Sequence, residues 1–249
     1  MSFHYSPKIV TDGLILYLDG ANTKSYTNPN SSIFDLSTNK IGSLINGVTF
    51  SSLNGGEFIF DGLDDKIGFG TEISSLNLTY PFSIDTWINV DPTGNTITFR
   101  GIFTTSTTPT LTQYYGISLG LASAYNGSGN YKVGVTVGNG LNPGSSGRRS
   151  YTSNNEVLIG GSWCHVVVTI TTGPSFKLYV NGVEVSGTLS GTGGALVWGS
   201  NTVTELGRSP AGYNYFFNGK ISNLKFYNTL LSPNQVLQNF RATKSRFGL

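Results

Sequence analysis

Residues 55–70, "GGEFIFDGLDDKIGFG", join a short alternating apolar run to a cluster of acidic residues. The run Glu57-Phe58-Ile59-Phe60 has the period of a β-strand, and the Asp-Gly that follows is a turn signal. Asp61, Asp64 and Asp65 then fall within five positions. Three interpretations fit this spacing: a catalytic carboxylate pair, a calcium site, or a tight turn between two strands.

The composition favours a β protein without a nucleic-acid partner. Only 11% of the 249 residues are charged, well below the usual quarter, and Gly, Ser, Thr and Asn fill the polar positions, which favours turns and strands. The net charge is +2, and basic residues gather only at Arg148-Arg149 and in the tail, at Arg241, Lys244 and Arg246. We expect a solvated loop and a solvated tail there, with an assembly anchor as the alternative for the tail.

The chain shows no sign of export or of membrane insertion. Residues 1–13 lack the basic start and long apolar run of a signal peptide, and the run "LILYL" is far too short to span a bilayer. Cys164 is the only cysteine, so no intrachain disulfide can form. We therefore expect synthesis in the cytoplasm, or release by a route that needs no signal.

Strand patterns dominate the sequence. In "PFSIDTWINV" (81–90) apolar positions alternate with Ser83, Asp85, Trp87 and Asn89, which predicts a strand with two distinct faces. In "FKLYVNGVEVSG" (176–187) two strand-like runs flank Asn181-Gly182, the preferred pair for a type I′ hairpin turn.

One helix is predicted near the C-terminus. Ser232 can act as the N-cap, Pro233 suits the first helical position, and Gln235 completes a capping box. Val236, Leu237 and Phe240 would form its apolar stripe.

Between these elements the sequence predicts long polar loops at 22–33, 104–113, 138–155 and 186–194. The regular spacing of strand signals predicts a single all-β domain over 1–249, with a core at about 13–240 and short terminal arms. Its architecture would be a two-sheet antiparallel jelly-roll sandwich with one short C-terminal helix.

Five phrases in order carry a family resemblance: "GGEFIFDGLDDKIGFG", "PFSIDTWINV", "WCHVVVTI", "KLYVNGVEVSG" and "FFNGKISNLKFYNTLLSPNQV". Together they resemble the laminin G-like jelly-roll branch of the concanavalin A-like lectin/glucanase superfamily. That resemblance implies two curved antiparallel sheets. The opening "GLILYLDGANTKSY" and the ending "LQNFRATKSRFGL" are similar to laminin G-like proteins of tailed bacteriophages, which implies a virion component.

Hydrolytic chemistry is poorly supported. Retaining glycosidases need two carboxylates about 5 Å apart, and the glucanase relatives carry them in an E-x-D-x-E or E-x-D-x-x-E pattern on one strand. None of the five glutamates stands in such a pattern. Cys164 and His165 are neighbours on a predicted strand, so their side chains should point to opposite faces and cannot form a nucleophilic pair. We therefore expect no enzymatic activity.

The acidic cluster leaves two alternatives. Calcium takes six to eight oxygen ligands, and Asp61, Asp64 and Asp65 with the carbonyls of Gly62-Leu63 could supply part of such a shell. Alternatively, the aspartates only stabilise a tight turn by bonding to nearby amides. No other cofactor is indicated.

Candidate glycan-binding residues lie where aromatic and amide side chains cluster in loops. Aromatic rings can stack on the apolar face of a pyranose, while amides bind its hydroxyls. The predicted set is Tyr114, Tyr115, Tyr125, Trp198, Tyr213, Asn214 and Tyr215. Each could instead pack in the core or pair across strands.

The resemblance and these residues together predict a non-enzymatic virion surface protein, a decoration or adhesion module of a capsid or tail. Its partners would be other virion proteins, copies of itself, or a host-surface glycan. A free-standing carbohydrate-binding lectin is the alternative, and a glycan hydrolase comes third.

Overall fold

The computed structural model describes residues 7–70, 78–93, 99–105, 114–122, 127–141, 144–199, 203–209 and 215–249. These residues form two antiparallel β-sheets and one α-helix, α1, at Pro233–Thr243. The predicted all-β jelly-roll sandwich with a short C-terminal helix is confirmed. None of the helices in the described ranges is long and apolar enough to cross a bilayer.

The described strands are numbered along the chain. They are Leu14–Asp19 (β1), Ser32–Phe34 (β2), Ile41–Ile45 (β3), Thr49–Ser51 (β4), Glu57–Asp61 (β5), Lys66–Gly68 (β6), Phe82–Val90 (β7), Arg100–Thr104 (β8), Tyr115–Leu121 (β9), Asn130–Tyr131 (β10), Val133–Asn139 (β11), Arg148–Ser153 (β12), Leu158–Ile159 (β13), Trp163–Ile170 (β14), Phe176–Val180 (β15), Val183–Val185 (β16), Gly187–Ser190 (β17), Glu205–Leu206 (β18) and Asn218–Tyr227 (β19).

The first sheet has the strand order β16-β15-β14-β7-β19-β5-β4, and β1 also pairs with β19. The second sheet has the order β17-β12-β11-β9-β8-β18-β6-β3-β2, and β10 pairs with β13 in a separate two-stranded ribbon. The main core lies between the sheets, where Phe103 of the second sheet meets Phe226 of the first at a ring distance of 5.0 Å.

Two local predictions hold in detail. Asn181 and Gly182 have φ of 52° and 81° and join β15 to β16 as a tight hairpin. The Ser232 hydroxyl accepts the amide of Gln235, and the Gln235 side chain accepts the amide of Ser232, so the predicted capping box forms. Both signals are short-range, and therefore the sequence alone specifies them.

The outer face of the first sheet is covered by the C-terminal segment, defined here as residues 233–249. Phe247, in a 3₁₀ turn at Lys244–Phe247, stacks on Trp87 with ring centroids 4.1 Å apart. Trp87 is fully buried although it points away from the main core, and it donates a hydrogen bond from Nε1 to Thr243. Strand β7 is therefore buried on both faces from Phe82 to Ile88, and its polar positions in that range line an internal layer rather than a solvated surface.

Cys164 and His165 point to opposite faces, as predicted. Cys164 belongs to the main core, where burial raises the pKa of its thiol. His165 lies under the C-terminal segment, with Nε2 3.1 Å from Asp85 and its ring 5.9 Å from that of Phe240. The two side chains therefore cannot act together as a nucleophilic pair.

The prediction that the C-terminal tail is solvated is wrong. Arg246 pairs with Asp19 at 3.1 Å and donates to the carbonyl of Asn54 and the hydroxyl of Ser222. Its charge therefore holds the tail against the sandwich. The Nζ of Lys244 lies 5.7 Å from the Phe240 ring centroid.

Several predicted loops contain strands. Residues 138–155 include all of β12, where Arg149 donates to the Gly191 carbonyl and Arg148 lies over the Tyr114 ring. Residues 186–194 include β17, which pairs with β12. Polar residues can form these strands because their hydroxyls lie on the face away from the core. The hydroxyls of Thr136 in β11 and Ser150 in β12, for example, form a hydrogen bond of 2.8 Å.

Candidate functional site

The acidic residues of the opening stretch lie at one corner of the first sheet. Asp61 ends β5, and Asp64 and Asp65 lie in the turn that leads to β6. One oxygen from each carboxylate lies within 4.8 Å of the others. The turn is held internally, because the Asp61 carboxylate accepts the amide of Leu63 and the Asp65 carboxylate accepts the amide of Asp61.

The donor set fits part of a calcium shell. Asp65 is 3% exposed, and its Oδ1 has no hydrogen-bond partner among the described residues. Burial raises the pKa of the Asp65 carboxyl, the Asp61 amide opposes this rise, and the charges of Asp61 and Asp64 add to it. A cation would relieve that repulsion and satisfy the orphan oxygen. The same aspartates also make the hydrogen bonds expected of a turn, and calcium at this corner stays a prediction.

Beside the acidic turn lies a pocket of about 290 Å³, here called the corner pocket. Its polar lining is Asn89, Asp91, Asn218 and Lys220, and its other lining residues are Ile59, Phe60, Pro92, Gly161 and Gly219. Asp61 pairs across strands with Asn218, so the acidic turn and the pocket adjoin.

None of these pocket residues was predicted from the sequence. They come from four segments that only the folded sheet brings together, at residues 59–60, 89–92, 161 and 218–220. Ile59, Lys220 and Asn89 form one cross-strand row over β5, β19 and β7. The alternation of β7 does place Asn89 on the outward face, which is the one sequence signal for this pocket. No local pattern connects Asn89 to Asn218.

Three of the predicted aromatic residues, Tyr114, Tyr115 and Trp198, lie elsewhere. Trp198 donates its indole N–H to the carbonyl of Leu78, which precedes β7, whereas Asp91 follows the end of β7. Because β7 has nine residues, the two places are roughly 30 Å apart. Tyr114 and Tyr115 lie at the Trp198 end, since the amide of Gly116 bonds to the carbonyl of Val197.

The other aromatic predictions are only partly placed. Tyr215 is half-buried, and its carbonyl accepts the amide of Ser209. Tyr125, Tyr213 and Asn214 lie outside the described residues. The structure therefore brings the segments of Tyr114, Tyr115 and Trp198 together, and their role in glycan binding stays a prediction.

The outer face of the second sheet is polar but poor in carboxylates. Among the described strands of that sheet, Glu205 is the only acidic residue. Its two oxygens are taken by Lys66 at 2.7 Å and by Arg208 at 3.0 Å. Neighbouring strands add hydroxyls, as where Thr104 and Ser118 bond to each other at 2.9 Å. The described strands of this face therefore offer no second carboxylate at the spacing that glycoside hydrolysis requires.

The architecture is that of a lectin-type jelly roll, and the sequence profile of one family matches it directly. The profile of the laminin G-like family, described as the concanavalin A-like lectin/glucanases superfamily, matches residues 61–237. The chain belongs to this family. No curated protein sequence matches the chain.

Solved structures with the same fold share little sequence identity with this chain. Domain 4 of an extracellular GH43 arabinanase from Geobacillus stearothermophilus, in complex with arabinotriose, has a TM-score of 0.59 and 20% identity, covering 91% of this chain and 97% of that domain. The binding domain of botulinum neurotoxin DC with rat synaptotagmin II has a TM-score of 0.67 and 15% identity, covering 94% and 52%. The same toxin domain with SialylT has a TM-score of 0.64 and 16% identity, covering 93% and 52%. The chain thus spans about half of the neurotoxin domains, and at these identities the likeness shows the fold alone.

Proposed function

We propose that this protein is a non-enzymatic glycan-binding module, displayed on the surface of a virion, that attaches it to a host. The observation that carries the proposal is the corner pocket: two amides, a carboxylate and an ammonium line an open pocket on a lectin-type fold. Its volume is near the lower end of the range for small-molecule sites, ~300–1,000 Å³, and suits one sugar residue of a longer glycan.

A binding role is favoured over hydrolysis by the charge arrangement. Glu205 on the outer face of the second sheet is neutralised by two basic residues. The carboxylate that lines the corner pocket, Asp91, accepts the backbone amide and the hydroxyl of Thr93, and the adjoining Asp61 accepts the amide of Leu63. Support also comes from two structural neighbours of the same fold, one in complex with arabinotriose and one with SialylT.

Display on a virion is supported by the resemblance of the chain ends to laminin G-like proteins of tailed bacteriophages. Mass spectrometry of purified particles tests this part. Detection of the chain at a stoichiometry shared with capsid or tail proteins is the expected result, and its absence from particles would favour the free-standing lectin.

Binding is tested with purified protein on a glycan array and on candidate host cells, in calcium and then in chelator. Saturable binding is the expected result. Loss of binding in chelator would indicate that Asp61, Asp64 and Asp65 hold calcium that glycan recognition requires. A stable, folded protein that binds none of these surfaces would refute the glycan part and favour a purely structural decoration protein.

A further inference from the structure

We propose that the corner pocket is the glycan-binding site and that its charges select neutral sugars over sialylated or other acidic ones. This inference rests on the proposed function, since it names the site and the ligand class of the same activity. It begins with the charged groups on and next to the pocket.

The pocket carries a negative balance. Lys220 lines it, but its Nζ lies 2.7 Å from the carboxylate of Glu57, which is fully buried. Asp91 lines the pocket and Asp61 adjoins it. Arg100 also lies at this corner, where it donates to the carbonyls of Gly62 and Phe216. Three carboxylates (Glu57, Asp61 and Asp91) and two cations (Lys220 and Arg100) therefore give a formal charge of −1, before Asp64 and Asp65 are counted. An acidic sugar would therefore be repelled, whereas a neutral sugar offers hydroxyls that can donate to Asp91, the carboxylate that lines the pocket.

The amides supply directional contacts for such hydroxyls. Asn89 donates its Nδ2 to the carbonyl of Gly161 at 3.0 Å, which fixes the side chain on the pocket wall. Asn218 lies in the same strand as Lys220 and two residues away, so both side chains project from the same face. An amide presents both a donor and an acceptor, and this pair suits the mixed hydrogen bonding of a sugar ring.

The walls of the pocket are preorganised. The amide of Asp91 bonds to the carbonyl of Asn218 at 3.1 Å, and the amide of Gly161 bonds to the carbonyl of Val90 at 2.7 Å. Gly219 has φ of 146°, and a Cβ there would lie 2.3 Å from the Asn89 carbonyl oxygen. Glycine at this position lets the two strands approach closely, so a ligand meets a wall that is already ordered, which lowers the entropic cost of binding.

Apolar contact comes from Ile59 and Pro92, which also line the pocket. They can cover the apolar face of a pyranose in place of an aromatic ring. Trp163 pairs with Asn89 across strands but is only 8% exposed, because Phe247 lies 4.6 Å from it. Phe60 also lines the pocket but is only 1% exposed, so its ring is not available for stacking. Single sugars should therefore bind weakly, and attachment would depend on several copies binding together.

The experiment compares arabinotriose and neutral hexose oligosaccharides with matched sialylated oligosaccharides, by calorimetry and by titration with NMR detection of side-chain amides. The variants are Asn218→Ala and Asn89→Ala, and the matched control is Ser175→Ala, which lines a different pocket on the same sheet. Thermal melting of each variant confirms its fold.

We expect a neutral glycan to bind the wild type and to shift the amide signals of Asn89 and Asn218. Each pocket variant should bind at least tenfold more weakly, and the Ser175→Ala control should match the wild type. The amide shifts test the site directly, so a variant that fails to fold does not leave the question open.

The contrary outcomes separate the two levels of the proposal. Neutral glycan binding that leaves both amides unshifted and both variants unimpaired would overturn this site while the glycan-binding function stands. Tighter binding of sialylated glycans would overturn the selection by charge. If the wild-type protein binds none of the glycans, the proposed function itself is refuted, and this inference with it.

Discussion

Replacement of Lys225 by methionine should be among the most destabilising single changes in the chain, because it leaves a buried carboxylate without its main counter-charge. Lys225 Nζ lies 2.8 Å from Asp85 Oδ1, and both side chains are fully buried beneath the C-terminal segment. Asp85 Oδ2 accepts a hydrogen bond from the side-chain amide (Nδ2) of Asn239 and lies 3.1 Å from His165 Nε2. Methionine keeps most of the volume of the lysine stem, so the change removes charge and hydrogen bonds rather than packing.

The size of the effect follows from the separation of the two charges. At an effective dielectric constant of about 20, unit charges 2.8 Å apart attract by roughly 6 kcal/mol. Removing the lysine also removes its own desolvation cost, and Asn239 still donates to the carboxylate. The net loss in the free energy of unfolding should therefore be about 3–5 kcal/mol at pH 7, the range measured for broken buried pairs.

The loss should depend on pH in a defined direction. Burial raises the pKa of Asp85, but the charges and hydrogen bonds of Lys225 and His165 outweigh it and hold the pKa below its usual range. In the wild type this carboxylate therefore contributes stability above the unfolded pKa of ~3.9, and that stability is lost only as the pH falls through the lower folded value. Without Lys225 burial dominates, the pKa of Asp85 rises, and the carboxyl takes up a proton more readily. The difference between wild type and variant should therefore be largest near pH 7 and shrink toward pH 4.

Urea denaturation followed by tryptophan fluorescence at pH 7, 5.5 and 4 measures this difference. The matched control is Lys177→Met, which removes a lysine of similar length from an exposed pair with Glu184 at 3.0 Å. This control should leave the midpoint unchanged. Equal midpoints for the two variants, or a gap that stays constant or widens toward pH 4, would refute the argument that Asp85 depends on Lys225.

Three further predictions concern the C-terminal segment and the acidic turn. Arg246→Ala breaks the ion pair with Asp19. Limited proteolysis should therefore cleave the C-terminal segment at a lower temperature in the variant than in the wild type. Cleavage at the same temperature in both proteins would contradict the anchoring role of Arg246. Ser232→Ala removes the helix cap and should cost about 1 kcal/mol in urea denaturation, while Ser232→Asp should retain most of it. Calcium at 100 times its dissociation constant would stabilise an intact site by about 2.7 kcal/mol, measured as a thermal shift that Asp64→Asn abolishes; no shift in either protein would leave the turn as the whole role of the aspartates.

The fold was predictable from sequence because its strongest signals are local. The Asn181-Gly182 hairpin and the Ser232 capping box each depend on residues fewer than five positions apart, and both form as predicted. The alternation in β7 also predicted its two faces. It did not reveal that Trp87 would be covered, because Phe247, which covers it, is 160 residues away in the chain.

The candidate site was less predictable for the same physical reason. The three aspartates are close in sequence and could be recognised as a group, whereas Asn89 and Asn218 become neighbours only when β7 pairs with β19. Arg246 illustrates the opposite error: a basic residue near a chain end is usually solvated, but here it meets Asp19 from the first strand. Charge in the sequence gives no indication of a partner that lies 227 positions away.

The distribution of polar groups over the two sheets explains why recognition should fall at a corner rather than on a face. The C-terminal segment covers the outer face of the first sheet around Trp87, and the buried charges beneath it are paired, as in Asp85–Lys225. On the second sheet, Glu205 is paired with Lys66 and Arg208, and hydroxyls on neighbouring strands bond to one another. Polar groups that already satisfy each other gain little by exchanging partners for a ligand. The corner pocket is a cavity at the strand ends that side-chain amides and a carboxylate line, so a ligand can bind there without first breaking the sandwich.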